Sequence, residues 1–327
     1  MGGDKPLIMA LDIGGTWLRV ALSDAEANFL NRTTVFTSAE EGAQKGIKRI
    51  KETIRKTASV VDFAEIKGIA VAAAGPVDPQ SGVILTPPNL PTWRNVPLKE
   101  ILEQEFQIPV WVENDADMAA LGEHRFGAGR GFDHLIYITV STGIGGGIIT
   151  GGRLLRGAKI SAAEIGHIVL DPQGPRCNCG GRGCLEALAS GTAIARKALE
   201  RISRGETSLI NDLIHGDLSK VTAEIVAQAA FKGDLVANQV IKEAATSLGL
   251  GVVNLIHLFD PEVVIIGGGV SKAGDLILEP VRQVIAERAM PDFKHRVKVV
   301  PSALGDNSGL FGAVAFAFEE LKGAGAP

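Results

Sequence analysis

The chain has 327 residues, with 33 Lys and Arg against 37 Asp and Glu, a formal net charge of −4, which leaves no global basic field for nucleic acid or anionic lipid. Its 46% hydrophobic and 21% charged content excludes disordered and fibrous classes, and its length suits two domains. The longest apolar uncharged stretch, residues 134–152, is interrupted by six glycines, and residues 1–6 carry neither a signal core nor a myristoylation pattern, so a cytoplasmic protein without membrane contact is expected.

Glycine supplies 40 residues without a short repeat, about twice the average frequency, which places glycines at turns and close approaches. Residues 7–13 form an apolar run ending in Asp12-Ile13-Gly14-Gly15-Thr16, and a β-prone pattern resumes over 18–22: strand, glycine turn, strand. Ser38 and Glu41 have the spacing of a capping box, and Ile47, Ile50 and Ile54 recur at helical spacing, which predicts a helix of about 18 residues. A buried strand is expected over 66–74. Asn95, with Pro97 just inside, is expected to open a helix burying Leu98, Ile101 and Leu102. A strand over 109–113 then gives way at Asn114-Asp115 to a helix reaching about Phe126.

After a glycine-marked linker at 127–131, the opening theme recurs about 128 residues on: an apolar strand over 135–140, the turn Ser141-Thr142-Gly143-Ile144-Gly145-Gly146-Gly147, and a strand at Ile148-Ile149. The recurrence suggests two halves of similar topology, the alternative being two unrelated hairpins. Helices are expected over about 192–203, 222–232 and 235–257, a buried strand over 261–266 running into Gly267-Gly268-Gly269, a strand over 297–300 and a last helix over about 309–321. Alternating strands and helices predict an α/β fold.

Asp12, Gly14, Gly15 and Thr16 offer unobstructed backbone N–H groups, a hydroxyl and a carboxylate for a hydrated divalent cation, a phosphate cradle that a tight hairpin would imitate. The second turn, with Thr142 and Gly143, is another cradle, and neither matches a Walker lysine loop or a dinucleotide fingerprint. Gly267, Gly268 and Gly269 would let backbone approach a flat ligand such as an adenine, or simply make a crowded turn. Glu113-Asn114-Asp115-Ala116-Asp117 sets three carboxylates where a strand ends and a helix begins, the place where ligands of open α/β sheets bind. One could act as a base; the alternative is that Asn114 or Asp115 only caps the helix. All three cysteines fall within eight residues, and His167-x9-Cys177-x-Cys179-x4-Cys184 is a donor set for tetrahedral structural zinc, the alternative being reduced surface cysteines beside an unrelated histidine. Such a loop would anchor Glu164 and Glu186, carboxylates suited to sugar hydroxyls, the alternative for each alone being a solvated surface residue.

With these residues assembled, the chain resembles, over nearly its whole length, the ROK family (repressor, open reading frame, kinase) of bacterial sugar kinases, and within it the members that phosphorylate glucose. Asp12 to Thr16 looks like the first phosphate motif, Pro88-Asn89-Leu90 with Trp93 like the sugar-side loop, and Asn114-Asp115 like the catalytic pair. Ser141 to Gly147 looks like the second phosphate motif, Glu164-Ile165-Gly166-His167 with the cysteines and Glu186 is similar to the family signature, and Gly267 to Gly269 matches the adenosine-side turn. The resemblance implies an actin-like, ribonuclease-H-like fold of two α/β domains with a cleft between them: residues 1–118, on which a helix near 309–322 packs back, and residues 119–308 with the zinc-binding loop 167–184. It implies transfer of phosphate from ATP, with Mg2+, to the 6-hydroxyl of glucose. Asp115 would be the general base, and Asn89, Asn114, Glu164, His167 and Glu186 would hold the sugar. A homo-oligomer, dimer or tetramer, is also implied. The chain departs from many relatives at Asp117, where they have asparagine, and at Ala163, where they have glycine.

N-acetylmannosamine, or another hexose or amino sugar, is the alternative substrate within the same family, because pocket shape reads an added acetyl group. A sugar-responsive repressor would need a DNA-binding segment before the first phosphate motif, and Asp12 lies close to the N-terminus. An actin-like or chaperone ATPase would leave the zinc loop and its glutamates without a role.

Overall fold

The computed structural model describes residues 6–158 and 161–324; residues 1–5, on which the expectation of no leader rested, lie outside them. The chain forms two compact units. One runs to Gly131 and takes in Arg156–Ala162 and the C-terminal stretch from Asp306; the other holds Phe132–Leu155 and Ala163–Gly305. This division differs from the expected boundary at 118, which would cut through a helix whose whole length packs within the first unit.

The first unit is built on β1 (Leu7–Ile13), β2 (Trp17–Ser23), β3 (Phe29–Phe36), α1 (Ala43–Ala58), β4 (Ile66–Ala73), α2 (Leu98–Phe106), β5 (Val110–Asn114) and α3 (Asp115–Phe126). The sheet order is β3-β2-β1-β4-β5. β1 and β2 pair antiparallel, as do β2 and β3, whereas β4 runs parallel to both β1 and β5. All of β1 is buried, as parallel strands covered on both faces require. Alternation divides its side chains: Leu7, Met9, Leu11 and Ile13 join the core with Ile50 and Ile54 of α1, whereas Ile8 and Ala10 pack with Leu310, Ala313 and Val314 of the C-terminal helix Ser308–Ala324. Each such Leu or Ile contributes roughly 1.5–3 kcal/mol relative to exposure. Two buried faces thus hold rigid the strand end that carries Asp12.

The second unit contains β6 (Leu135–Val140), β7 (Ile144–Thr150), β8 (Arg153–Leu154), α4 (Gly191–Ser203), α5 (Ala223–Phe231), α6 (Leu235–Phe259), β9 (Val263–Gly267), α7 (Asp275–Arg288) and β10 (Lys298–Pro301). Its sheet order, β8-β7-β6-β9-β10, reproduces that of the first unit, with the same antiparallel hairpins and parallel pairs. The two hairpins of the sequence are therefore the same element twice. Among the described residues no helix is long and apolar enough to cross a membrane.

Several elements differ from expectation for local reasons. Ser38 adopts φ 49° and makes no cap; α1 opens behind Gly42. The capping box occurs instead at Asp62 and Glu65. Asn95 is left-handed, and Val96–Pro97 pairs with Val83–Ile84, so α2 begins at Leu98. Gly145, Gly146 and Gly147 lie inside β7 rather than in a turn. α7 carries Pro280 internally, which reads as a helix breaker in sequence.

Candidate functional site

In the first unit, β1 delivers Asp12 to the sheet end and the chain turns through Gly14, Gly15 and Thr16. Gly14 N–H donates to Trp17 O at 3.0 Å, and the Thr37 hydroxyl donates to Gly14 O at 2.7 Å. A Cβ on Gly15 would stand 3.0 Å from Asn89 Cβ and O, so the predicted sugar-side Asn89 lies against the turn. Trp93, by contrast, is a buried core anchor. Asp12 pairs with Arg19 at 2.9 Å, its register partner across the hairpin. Burial raises the Asp12 pKa, and Arg19 opposes the rise.

Asn114 ends β5 and caps α3, its Oδ1 accepting Ala116 N–H at 2.8 Å. The capping alternative therefore holds for Asn114, and its fixed rotamer sets the start of the helix. Asp115 is the first helical residue. Burial first, then the negative charge of Asp12, raise its pKa from 3.8 to about 7, against hydrogen bonds from the Ala116 and Asp115 backbone. Glu113 is different: it is wholly buried, one oxygen accepts Asn114 N–H at 3.1 Å, and the other is paired with Arg156. A carboxylate so engaged has no proton-accepting role to offer.

In the second unit the turn is Ser141-Thr142-Gly143, closed by Ser141 N–H to Gly143 O at 2.9 Å. Gly191 N–H and the Thr192 hydroxyl donate to Ser141 O and Thr142 O at 2.7 and 2.9 Å, which fastens the N-terminus of α4 to the turn. Glu186 Oε2 accepts Ile144 N–H at 3.0 Å, and a Cβ on Gly143 would collide with the same oxygen. Gly268 has φ +85° and abuts the Val140 backbone, a place only glycine fills without strain. Gly269 comes beside Ser141, and the two border a pocket of about 660 Å3 with apolar walls from Ile194, Ala227, Val270 and Ile277. The Gly267–Gly269 turn is thus both crowded and next to space for a flat ligand.

The ligating atoms of His167, Cys177, Cys179 and Cys184 all lie within 4.8 Å of one another. Cys179 Sγ and Cys184 Sγ are 3.7 Å apart, as are Cys177 Sγ and His167 Nδ1. A tetrahedron with arms of about 2.3 Å has edges of about 3.7 Å, so the donor set fits Zn2+. Burial pushes the Cys177 and Cys184 thiols up, so thiolates there need a cation, while Gly181 N–H pulls Cys179 down. The Cys177 thiol also reaches Glu186 Oε1 at 3.6 Å. Glu186 therefore touches both the cysteine cluster and the glycine turn.

Glu164 is exposed and precedes the short turn Ile165–His167. Ala163 before it has φ 62°, the left-handed region that costs a non-glycine residue about 1–2 kcal/mol. Ala163→Gly should therefore raise unfolding free energy by about 0.5–1 kcal/mol after the greater freedom of the unfolded glycine is counted. A urea titration of the two proteins measures it. Sequence reasoning missed Arg19, which strand register would have placed opposite Asp12, and Arg156, for which no local pattern gives a signal.

The profile of the ROK family matches residues 8–320. The glucokinase of Thermotoga maritima is 40% identical over 319 residues, which cover 98% of this chain and 99% of that protein. The crystal structure of a ROK family glucokinase from Streptomyces griseus in complex with glucose and AMPPNP has a TM-score of 0.84 and 37% identity, covering 96% of this chain and 99% of that one. The xylose repressor of Caldicellulosiruptor bescii is 33% identical over 321 residues, 97% of this chain and 79% of the repressor. With the family profile matched over residues 8–320, and its two glycine turns, Asn114-Asp115 pair and cysteine loop carried on the actin-like fold of these sugar kinases, the chain belongs to the ROK family.

Proposed function

We propose that this protein phosphorylates the 6-hydroxyl of glucose with ATP, Asp115 acting as general base. The observation that carries the reading is Asp115 itself: a carboxylate at the first position of α3, with its pKa raised to about 7 by burial and by Asp12, is matched to accepting a hydroxyl proton near neutral pH. Similarity to glucokinases over 98% of the chain supports glucose as the substrate, as does the glucose and AMPPNP complex of the Streptomyces griseus relative.

Asn89, Asn114, Glu164, His167 and Glu186 hold the sugar hydroxyls, and Asp115 takes the 6-OH proton as the sugar oxygen bonds to the γ-phosphorus and the bond from that phosphorus to the bridging oxygen breaks, releasing ADP. Gly14, Gly15 and Thr16 present one turn to phosphate oxygens, and Thr142 and Gly143 present the other. Gly267, Gly268 and Gly269 admit the adenosine to the adjoining pocket. Asp12 would hold the hydrated Mg2+ that accompanies the nucleotide, which would supply neutralisation of phosphate charge. His167, Cys177, Cys179 and Cys184 would hold a Zn2+ with a structural role, fastening the loop that carries Glu186. The protein supplies orientation and charge compensation, which are most of what phosphoryl transfer asks for.

An ADP-release panel with ATP and about ten sugars tests the assignment. Glucose should give the highest kcat/KM, and NMR of the product should show phosphate on the 6-oxygen. A clear preference for N-acetylmannosamine or fructose would replace the sugar, and ATP hydrolysis indifferent to every sugar would replace the reaction. DNA retained in a gel-shift assay, with no phosphorylation, would favour the repressor reading.

A further inference from the structure

Arg156 belongs by sequence to the stretch after β8, but by packing to the first unit. Its guanidinium pairs with Glu113, a side chain with 1% exposure, and lies 5.3 Å from the ring centroid of Phe316 in the C-terminal helix. Its carbonyl accepts Ala162 N–H at 3.2 Å, one residue before the left-handed Ala163 and two before Glu164. Glu113 in turn holds Asn114 N–H at 3.1 Å, and Asn114 caps the helix whose first residue is Asp115. A buried carboxylate is costly unless paired, so Arg156 is what permits a charged Glu113 to stand at this strand end.

We infer that Arg156 is a positioning residue for phosphoryl transfer: through Glu113 and Asn114 it fixes the base Asp115. The inference rests on the assignment of Asp115 as base. The partners described for Arg156 are Glu113, Phe316 and Ala162, none assigned to phosphate or adenosine, so its loss should appear in kcat rather than in nucleotide affinity. Misplacement of a reacting group by about 1 Å costs on the order of 10²-fold.

The test compares Arg156→Ala, Arg156→Lys and the double variant Arg156→Ala/Glu113→Gln, at a temperature where circular dichroism shows each fully folded. Arg156→Ala should lose about 10- to 100-fold in kcat with the ATP KM within about twofold. Guanidinium ion at tens of millimolar should restore part of that loss, because the Arg156 side chain is 34% exposed and its site is open to a small cation. Adding Glu113→Gln should also recover turnover, since a neutral amide still accepts Asn114 N–H without an unpaired charge. Should Arg156→Ala not fold, Arg156→Lys carries the test: it keeps the charge, loses the planar fork, and should fold with a kcat loss of severalfold. Unchanged kcat in every folded variant, or a kcat loss that neither guanidinium nor Glu113→Gln moves, would overturn the inference. Asp115→Asn assayed alongside separates the two readings. If it is inactive while the Arg156 variants are normal, only the positioning role fails; if it keeps turnover, the base assignment fails and this inference with it.

Discussion

Asp115→Asn should lower kcat by roughly 10²- to 10⁴-fold while leaving glucose binding intact, the usual contribution of a positioned acid or base. Asparagine keeps the size of the side chain and its place at the start of α3, and removes only the proton acceptor. In the parent enzyme kcat/KM should rise with pH through about 7, as the buried carboxylate beside Asp12 ionises, and that limb should vanish in the variant. The same shift has a stability consequence of definite sign. A carboxyl whose folded pKa lies above its unfolded value favours the folded state below about 3.8, and this contribution is lost as pH rises through about 7. Asp115→Asn should accordingly raise Tm at pH 8 and change it little at pH 4. Near-normal turnover in the variant would make Asp115 a structural residue of the helix start, with Asp117 the remaining carboxylate to examine; Glu113 is engaged with Arg156 and Asn114.

The second large effect is expected from the metal loop. Stripping zinc, or replacing Cys179 by Ser, should lower Tm by roughly 6–12 °C, the equivalent of about 3 kcal/mol in a domain of this size, and raise the glucose KM by about 10-fold or more. His167 Nδ1 is the nitrogen beside Cys177, so on the proposed assignment Nε2 would be the one to meet the sugar. Glu186 extends the effect, because it reaches Cys177 with one oxygen and Ile144 N–H with the other. Nucleotide affinity, measured by calorimetry on the metal-free protein, should therefore fall a fewfold as well. Protein shown metal-free by elemental analysis, yet unchanged in Tm and glucose KM, would contradict the arrangement. A lower Tm with unchanged glucose KM would leave zinc in place and remove His167 from the sugar.

What the sequence made legible was what short-range pattern can carry. The strand-turn-strand at Asp12, the cap at Asn114 and the Cys3His spacing are each local, and each is where the residues indicated. The repeated hairpin was visible because its glycines recur, although Gly145 to Gly147 are strand residues whose small size admits neighbours such as Ile165. Long-range pairing was not legible. Arg156 finds Glu113 across 43 positions, and Glu186 finds Ile144 across 42; no periodicity encodes either. α7 and β3 were passed over because a proline interrupts the first, and because β3 buries only Thr33 fully and so lacks an apolar alternation.

The two copies of the hairpin differ by one ion pair: Asp12 and Arg19 of the first answer to Thr139 and Gly145 of the second. Ile13 and Val140 are the last paired residues before the respective turns, so Asp12 in one copy answers to Thr139 in the other, and each pairs across to the following parallel strand, at Ala72 and Gly267. A turn of bare N–H groups attracts an anion, whereas the same turn with a carboxylate one residue upstream repels it unless a cation stands between. On the proposed assignment the Thr139 copy would receive phosphate oxygens directly, and the Asp12 copy, its carboxylate shared with Arg19, would meet them through a hydrated cation. A free polyanion and its magnesium complex would then be distinguished by the Asp12–Arg19 pair of one copy, for which the other has Thr139 and Gly145.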